Sequence, residues 1–137
     1  MQTKVKWIDG AMMIGESQSG HAVVMDGPET FGGRNIGIRP MEMLLIGLGG
    51  CTTFDVVSIL KKTKQDLISC GVEIKAKRAD THPKIFTDIH IHFIIKGNNI
   101  EEKKVTKAID LSANKYCSAS QMLASAANIT HDFEIIK

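Results

Sequence analysis

Long apolar runs, a surplus of charge and a cysteine framework are all missing from this 137-residue sequence. Its most apolar stretch, residues 43–54, is 12 residues long and sits between Glu42 and Asp55, too short to span a bilayer. Lysine plus arginine number 17 against 15 aspartate plus glutamate. The formal charge of +2 is too small to imply nucleic acid or an acidic membrane surface as a partner. The opening residues, MQTKVKWIDG, lack the apolar segment and cleavage site of a secretory signal, so the expected location is the cytoplasm. Stable disulfides are rare there. Cys51, Cys70 and Cys117 have neither CxxC nor Cys/His spacing, so a structural metal site is not expected. No repeat, low-complexity segment or linker divides the chain, which reads as a single domain over 1–137.

What is present is an ordinary globular composition, 43% hydrophobic and 23% charged. Residues 3–8 alternate Val5 and Trp7 with Lys4 and Lys6, and 11–16 and 21–25 are short runs set off by Asp9-Gly10 and Ser19-Gly20, which signal hairpins. A Gly-rich connection over 27–37 leads to Pro40, a residue suited to the first turn of a helix. Residues 41–63 have helical length but are apolar on nearly every face, the pattern of a buried helix. Gly47, Gly49 and Gly50 would each cost that helix roughly 1 kcal/mol unless another element packs closely on them. Val72, Ile74 and Ala76 alternate with Glu73, Lys75 and Lys77 in a strand over 70–78.

A longer strand over 85–95 sets Ile89, Ile91, Phe93 and Ile95 on one face and His90 and His92 on the other. His-x-His is compatible with a transition metal, but no third ligand is evident. Asn99 is the expected cap of a following helix, Ser118 with Gln121 reads as a capping box for another, and 129–136 closes the chain as a strand. Runs of strands with helices between them predict an α+β domain.

The chemistry rests on cysteine. Cys51 lies mid-helix in GLGGCTTFD, where a small hydrophobe would also serve. Cys117 directly precedes a helix start in KYCSASQ, where unpaired N–H groups and the dipole favour thiolate. Cys70 stands at a turn-to-strand junction with no activating neighbour.

The run over 40–51, PMEMLLIGLGGC, together with KYCSAS over 115–120, resembles the OsmC/Ohr family, the osmotically inducible and organic-hydroperoxide-resistance proteins, in the branch with GGC and YCS at its cysteines. The resemblance implies an intertwined homodimer, with antiparallel sheets packed around central buried helices and sites at the interface. It implies a thiol-dependent peroxidase of oxidative-stress defence, with no bound cofactor and an external dithiol as reductant. Cys51 would attack an organic hydroperoxide and become a sulfenic acid, and Cys117 would resolve it as a disulfide.

A mid-helix thiol with apolar neighbours needs an imported cation to ionise. The family supplies an arginine paired with a glutamate at the helix start. Here Met41 follows Pro40 and the glutamate, Glu42, comes one place later than in typical members. On a continuous helix Glu42 points about 180° from Cys51, so it serves its own site only if the helix start bends, and otherwise serves a partner's. Arg34 and Arg39 are both candidates for the arginine, with Arg34 preferred because its loop can fold over a site. Asp55 shares a helix face with Cys51, one turn on, and is left outside the catalytic set because a carboxylate opposes a thiolate. Two other readings compete. One is a non-enzymatic module of the same fold binding a small apolar ligand. The other takes Gly47–Gly50 as the GxxG of a KH-type RNA-binding loop, against flanks that lack Lys or Arg.

Overall fold

Gly10 turns the chain between its first two strands with a φ of +51°, and a Cβ there would stand 2.6 Å from the Gly32 carbonyl oxygen. Only glycine fits both demands. The computed structural model describes all 137 residues, which form two compact units, Met1–Leu45 and Ile46–Lys137.

The first unit is an antiparallel meander of β1 (Thr3–Asp9), β2 (Met12–Ser17) and β3 (Ala22–Met25), at the places the alternation and the two turn signals predict. The Trp7 indole N–H donates to the Gly10 carbonyl at 2.9 Å and braces the first hairpin. The alternation of Val5 and Trp7 does not bury one face: β1 is exposed along its whole length in this chain. The connection after β3 is organised by buried Asp26, whose carboxylate accepts the backbone N–H groups of Gly27, Arg34 and Ile36. Burial pushes this carboxyl up, but the three donors and the nearby Arg34 charge outweigh it and hold Asp26 below the usual range.

Helix α1 (Pro40–Lys62) begins at the predicted proline and ends on Lys61 and Lys62, where cations suit the dipole. At 23 residues it is long and apolar enough to cross a membrane by length and composition, well beyond the 12-residue stretch read from sequence. Its side chains describe a core helix instead. Leu48, Thr52, Val56 and Leu60, four residues apart, are fully buried. The expectation of burial on every face is corrected: one stripe is covered within this chain, while Leu44, Ile46 and Phe54 stay exposed. Gly49 explains the close packing. A Cβ there would come within 3.2 Å of Val72 and Ile74 side chains, so the element that approaches is a strand, and nothing approaches Gly47 or Gly50.

The second unit's sheet has the order β4 (Asp66–Arg78), β5 (Phe86–Asn98), β6 (Asn128–Ile136). β4 and β5 pair antiparallel, but β5 and β6 pair parallel, so this sheet is mixed where antiparallel sheets were expected. The cause is the chain between them. Parallel neighbours need a long crossover, and α2 (Glu102–Leu111), a π-helical turn (Ser112–Tyr116) and α3 (Ser118–Leu123) supply it. β5 is central, and its Ile89, Ile91, Phe93 and Ile95 form the predicted buried face. α2 adds Val105, Ala108 and Ile109 to the core. Its cap is not Asn99, which takes a φ of +51° in the preceding turn. Glu101 holds that place, and the Gln65 side-chain oxygen accepts its N–H at 2.8 Å.

On the opposite face of β5, His90 and His92 meet β6. His90 Nδ1 lies 2.7 Å from Thr130 Oγ1, and Asp132 Oδ1 lies 2.6 Å from His92 Nδ1 and 3.1 Å from His90 Nε2. The hydrogen bond to Asp132, reinforced by Glu134, raises the His92 pKa against a smaller loss from burial. The same bond, with help from His90, lowers that of Asp132. His92 therefore contributes stability below its ordinary pKa, lost as pH rises through the raised value. Asp132 contributes above its ordinary pKa, lost as pH falls through the lowered value. Asp132→Asn is thus expected to destabilise most between about pH 4 and about pH 6.5, with the difference from wild type shrinking towards pH 9. Thermal unfolding of both proteins across this range checks it, and a difference constant with pH would refute the pairing.

Candidate active site

Two sulfur atoms 66 positions apart in sequence come together in the second unit. Cys51 Sγ, Cys117 Sγ and a carboxylate oxygen of Asp55 all lie within 4.8 Å of one another. Cys51 is supplied by α1 next to the Gly49 contact, and Asp55 follows one turn later on the same face, as helical spacing requires. Both cysteines are free thiols. A disulfide needs sulfurs about 2 Å apart, so the pair closes with a movement of at most about 3 Å.

Cys117 is placed by the π-helical turn. Its N–H donates to the Ser112 carbonyl at 2.8 Å, a bond across five residues that widens the helix end and turns the chain inward. Cys117 itself caps α3, one residue earlier than the Ser118 capping box predicts, and its sulfur accepts the Ser120 N–H at 3.4 Å. The helix-start argument made this the more acidic thiol. The structure corrects that. Cys117 is fully buried, and burial pushes its pKa up, with the Cys51 sulfur adding to the rise. The Ser120 backbone and hydroxyl pull the other way without cancelling it.

The same turn aims Ser112 at Asp55. The Ser112 hydroxyl donates to Asp55 Oδ2 at 3.0 Å, so the 3.0 Å contact between Thr52 Oγ1 and Ser112 Oγ uses the threonine proton. Thr52 and Ser112 are both fully buried, and Asp55 makes no other hydrogen bond. Asp55 therefore belongs to the cluster it was left out of. Its spacing from Cys51 was the available signal. Ser112 carried none, because the contact depends on how α2 ends.

The other site residues lie in the first unit. The Arg34 guanidinium pairs with Asp9, with a second contact to that carboxylate at 3.3 Å, and so is engaged within its own unit. Arg39 is half-buried and donates to the Gly37 carbonyl at 3.2 Å. Glu42 is exposed on the first turn of α1 and makes no side-chain hydrogen bond or ion pair. Cys70 is half-buried on β4, where burial raises its pKa. Gly47–Gly50 lies inside the continuous helix α1, so the loop a KH-type reading needs does not exist.

A family model described as OsmC-like protein matches residues 32–132. The chain belongs to the OsmC-like family. Protein YhfA of Escherichia coli K12 is 45% identical to this OsmC-like chain, over 99% of it and 98% of YhfA. A crystal structure from Aquifex aeolicus VF5 superposes with a TM-score of 0.82 at 28% identity, covering 99% of this chain and 97% of that one. An organic hydroperoxide resistance protein, OsmC, from Legionella pneumophila shares the α+β fold with a TM-score of 0.74 at 15% identity, over 98% and 97% of the two chains.

Proposed function

We propose that this OsmC-like protein is a thiol-dependent peroxidase that reduces organic hydroperoxides. The observation that carries the reading is the meeting of Cys51 and Cys117 beside one another, the first half-exposed and the second fully buried. An accessible thiol is the one a peroxide reaches. A buried thiol with a raised pKa stays protonated and does not compete for it.

In the proposed reaction the Cys51 thiolate attacks the terminal oxygen of ROOH. An S–O bond forms, the O–O bond breaks, and the alkoxide leaves as ROH after taking a proton. Cys117 then attacks the Cys51 sulfenic sulfur, the S–S bond forms and water departs. A cellular dithiol reduces the disulfide and is oxidised in turn, so one peroxide consumes one dithiol. Arg34 or Arg39 supplies the cation that favours the Cys51 thiolate, and Glu42 orients it, in the same chain or in a second copy. A homodimer accounts for the apolar side chains of α1 left uncovered here, Ile46 and Phe54 among them. A cytoplasmic location supplies the reducing dithiol.

Thiol titration in a single turnover tests the proposal. One equivalent of cumene hydroperoxide should lower the count from three thiols per chain to one, leaving Cys70. Three unchanged thiols would overturn it and favour a ligand-binding module.

A further inference from the structure

The cluster at Cys51 has a composition that peroxide chemistry does not require. Peroxide reduction uses two sulfurs, yet a carboxylate stands with them, all three donor atoms within 4.8 Å. Asp55 is held there by a built support. Fully buried Thr52 donates to fully buried Ser112, Ser112 donates to Asp55 Oδ2, and the other carboxylate oxygen is left without a protein donor. A carboxylate fixed by a hydroxyl behind it is the arrangement that orients metal ligands.

We propose that Cys51, Cys117 and Asp55 of the reduced protein form a binding site for a soft divalent cation of the zinc class. In a tetrahedral zinc site with bonds of about 2.3 Å to sulfur and about 2.1 Å to oxygen, the sulfurs stand about 3.8 Å apart. Contracting the present cluster by at most about 1.2 Å reaches that geometry. Three protein donors leave a fourth position open to water. Binding takes both sulfurs as thiolates and so releases the protons they carry, and the cation offsets the charge placed on the buried Cys117 sulfur. Because the same sulfurs form the disulfide, metal binding and oxidation exclude one another. Oxidation of both thiolates to the disulfide by one hydroperoxide, which takes two protons from solvent and becomes alcohol and water, would expel the cation. The site itself does not depend on the peroxidase reading, since it needs only reduced thiols.

The test uses the reduced full-length protein under argon, titrated with Zn(II) against a chromophoric chelator and, separately, with Cd(II). The expected result is one Zn(II) per chain, protons released on binding and a sulfur-to-cadmium charge-transfer band. Cys51→Ser and Cys117→Ser should each weaken Zn(II) binding at least about a hundredfold, and Asp55→Asn at least about tenfold, with Cys70→Ser unchanged. Circular dichroism establishes that each variant is folded. The proton count and the cadmium band are read on wild type, so they stand even if a variant fails to fold. No bound Zn(II), binding kept by either Cys51→Ser or Cys117→Ser, or an affinity unaffected by Asp55→Asn would overturn the proposal. Zinc binding in a protein whose thiols ignore cumene hydroperoxide would leave this site standing and remove the peroxidase reading alone.

Discussion

Replacing Cys51 by serine is expected to reduce turnover of cumene hydroperoxide by at least about a thousandfold, measured with dithiothreitol as reductant. A serine hydroxyl fits the same space beside Cys117 and Asp55 but does not ionise near neutral pH, so no nucleophile remains to open the O–O bond. Cys117→Ser should behave differently. The accessible thiol is intact, so one peroxide is still reduced, and the product is a Cys51 sulfenic acid that dimedone traps in place of a disulfide. Cys70→Ser should leave both steps unchanged, because Cys70 stands outside the Cys51–Asp55–Cys117 cluster. Equal loss in the Cys51 and Cys117 variants, with no trapped sulfenic acid in either, would show that the order of attack is wrong. Turnover kept by Cys51→Ser would remove the reaction altogether.

The roles in that experiment come from three-dimensional facts that sequence conveys unevenly. Period-2 alternation in β5 places Ile89, Ile91, Phe93 and Ile95 on the buried face, since a strand offers its side chains only two directions. The parallel pairing of β6 carries no such mark, because its alternation is the same whichever way it runs. Cys51 and Asp55 are legible as one helix face, and helical spacing alone joins them. Ser112 joins them across 57 residues, where α2 gives way to a π-helical turn, and no local pattern marks that meeting. The acidity expected of Cys117 failed for a related reason. A helix start is visible in KYCSASQ, but the burial that outweighs it is set by residues distant in the chain. The helix α1 reads as apolar all round, and its chain covers one stripe of it. Composition counts apolar side chains without saying which chain covers them.

Phe93 and Phe54 separate those two kinds of burial in one further experiment. Phe93 is 0% exposed at the middle of the central strand, opposite Val72 on β4 and Phe133 on β6, with its ring 6.3 Å from that of His131. Phe93→Ala removes a ring that neighbours on both sides cannot replace, because two strands fix their positions. The expected loss is about 3–5 kcal/mol, a midpoint lowered by roughly 10–20 °C in thermal unfolding. That is a large share of the about 5–15 kcal/mol that holds a typical domain together. Phe54 is 75% exposed on α1, so within one chain Phe54→Ala should change stability by no more than about 0.5 kcal/mol. If a second copy covers α1, as proposed, the same substitution exposes an interface and its cost grows with protein concentration, because assembly then contributes to the midpoint. A Phe54→Ala midpoint matching wild type at every concentration would place that ring in solvent and remove α1 from the interface. The Phe93→Ala loss should stay the same throughout, since the ring is already fully covered within one chain.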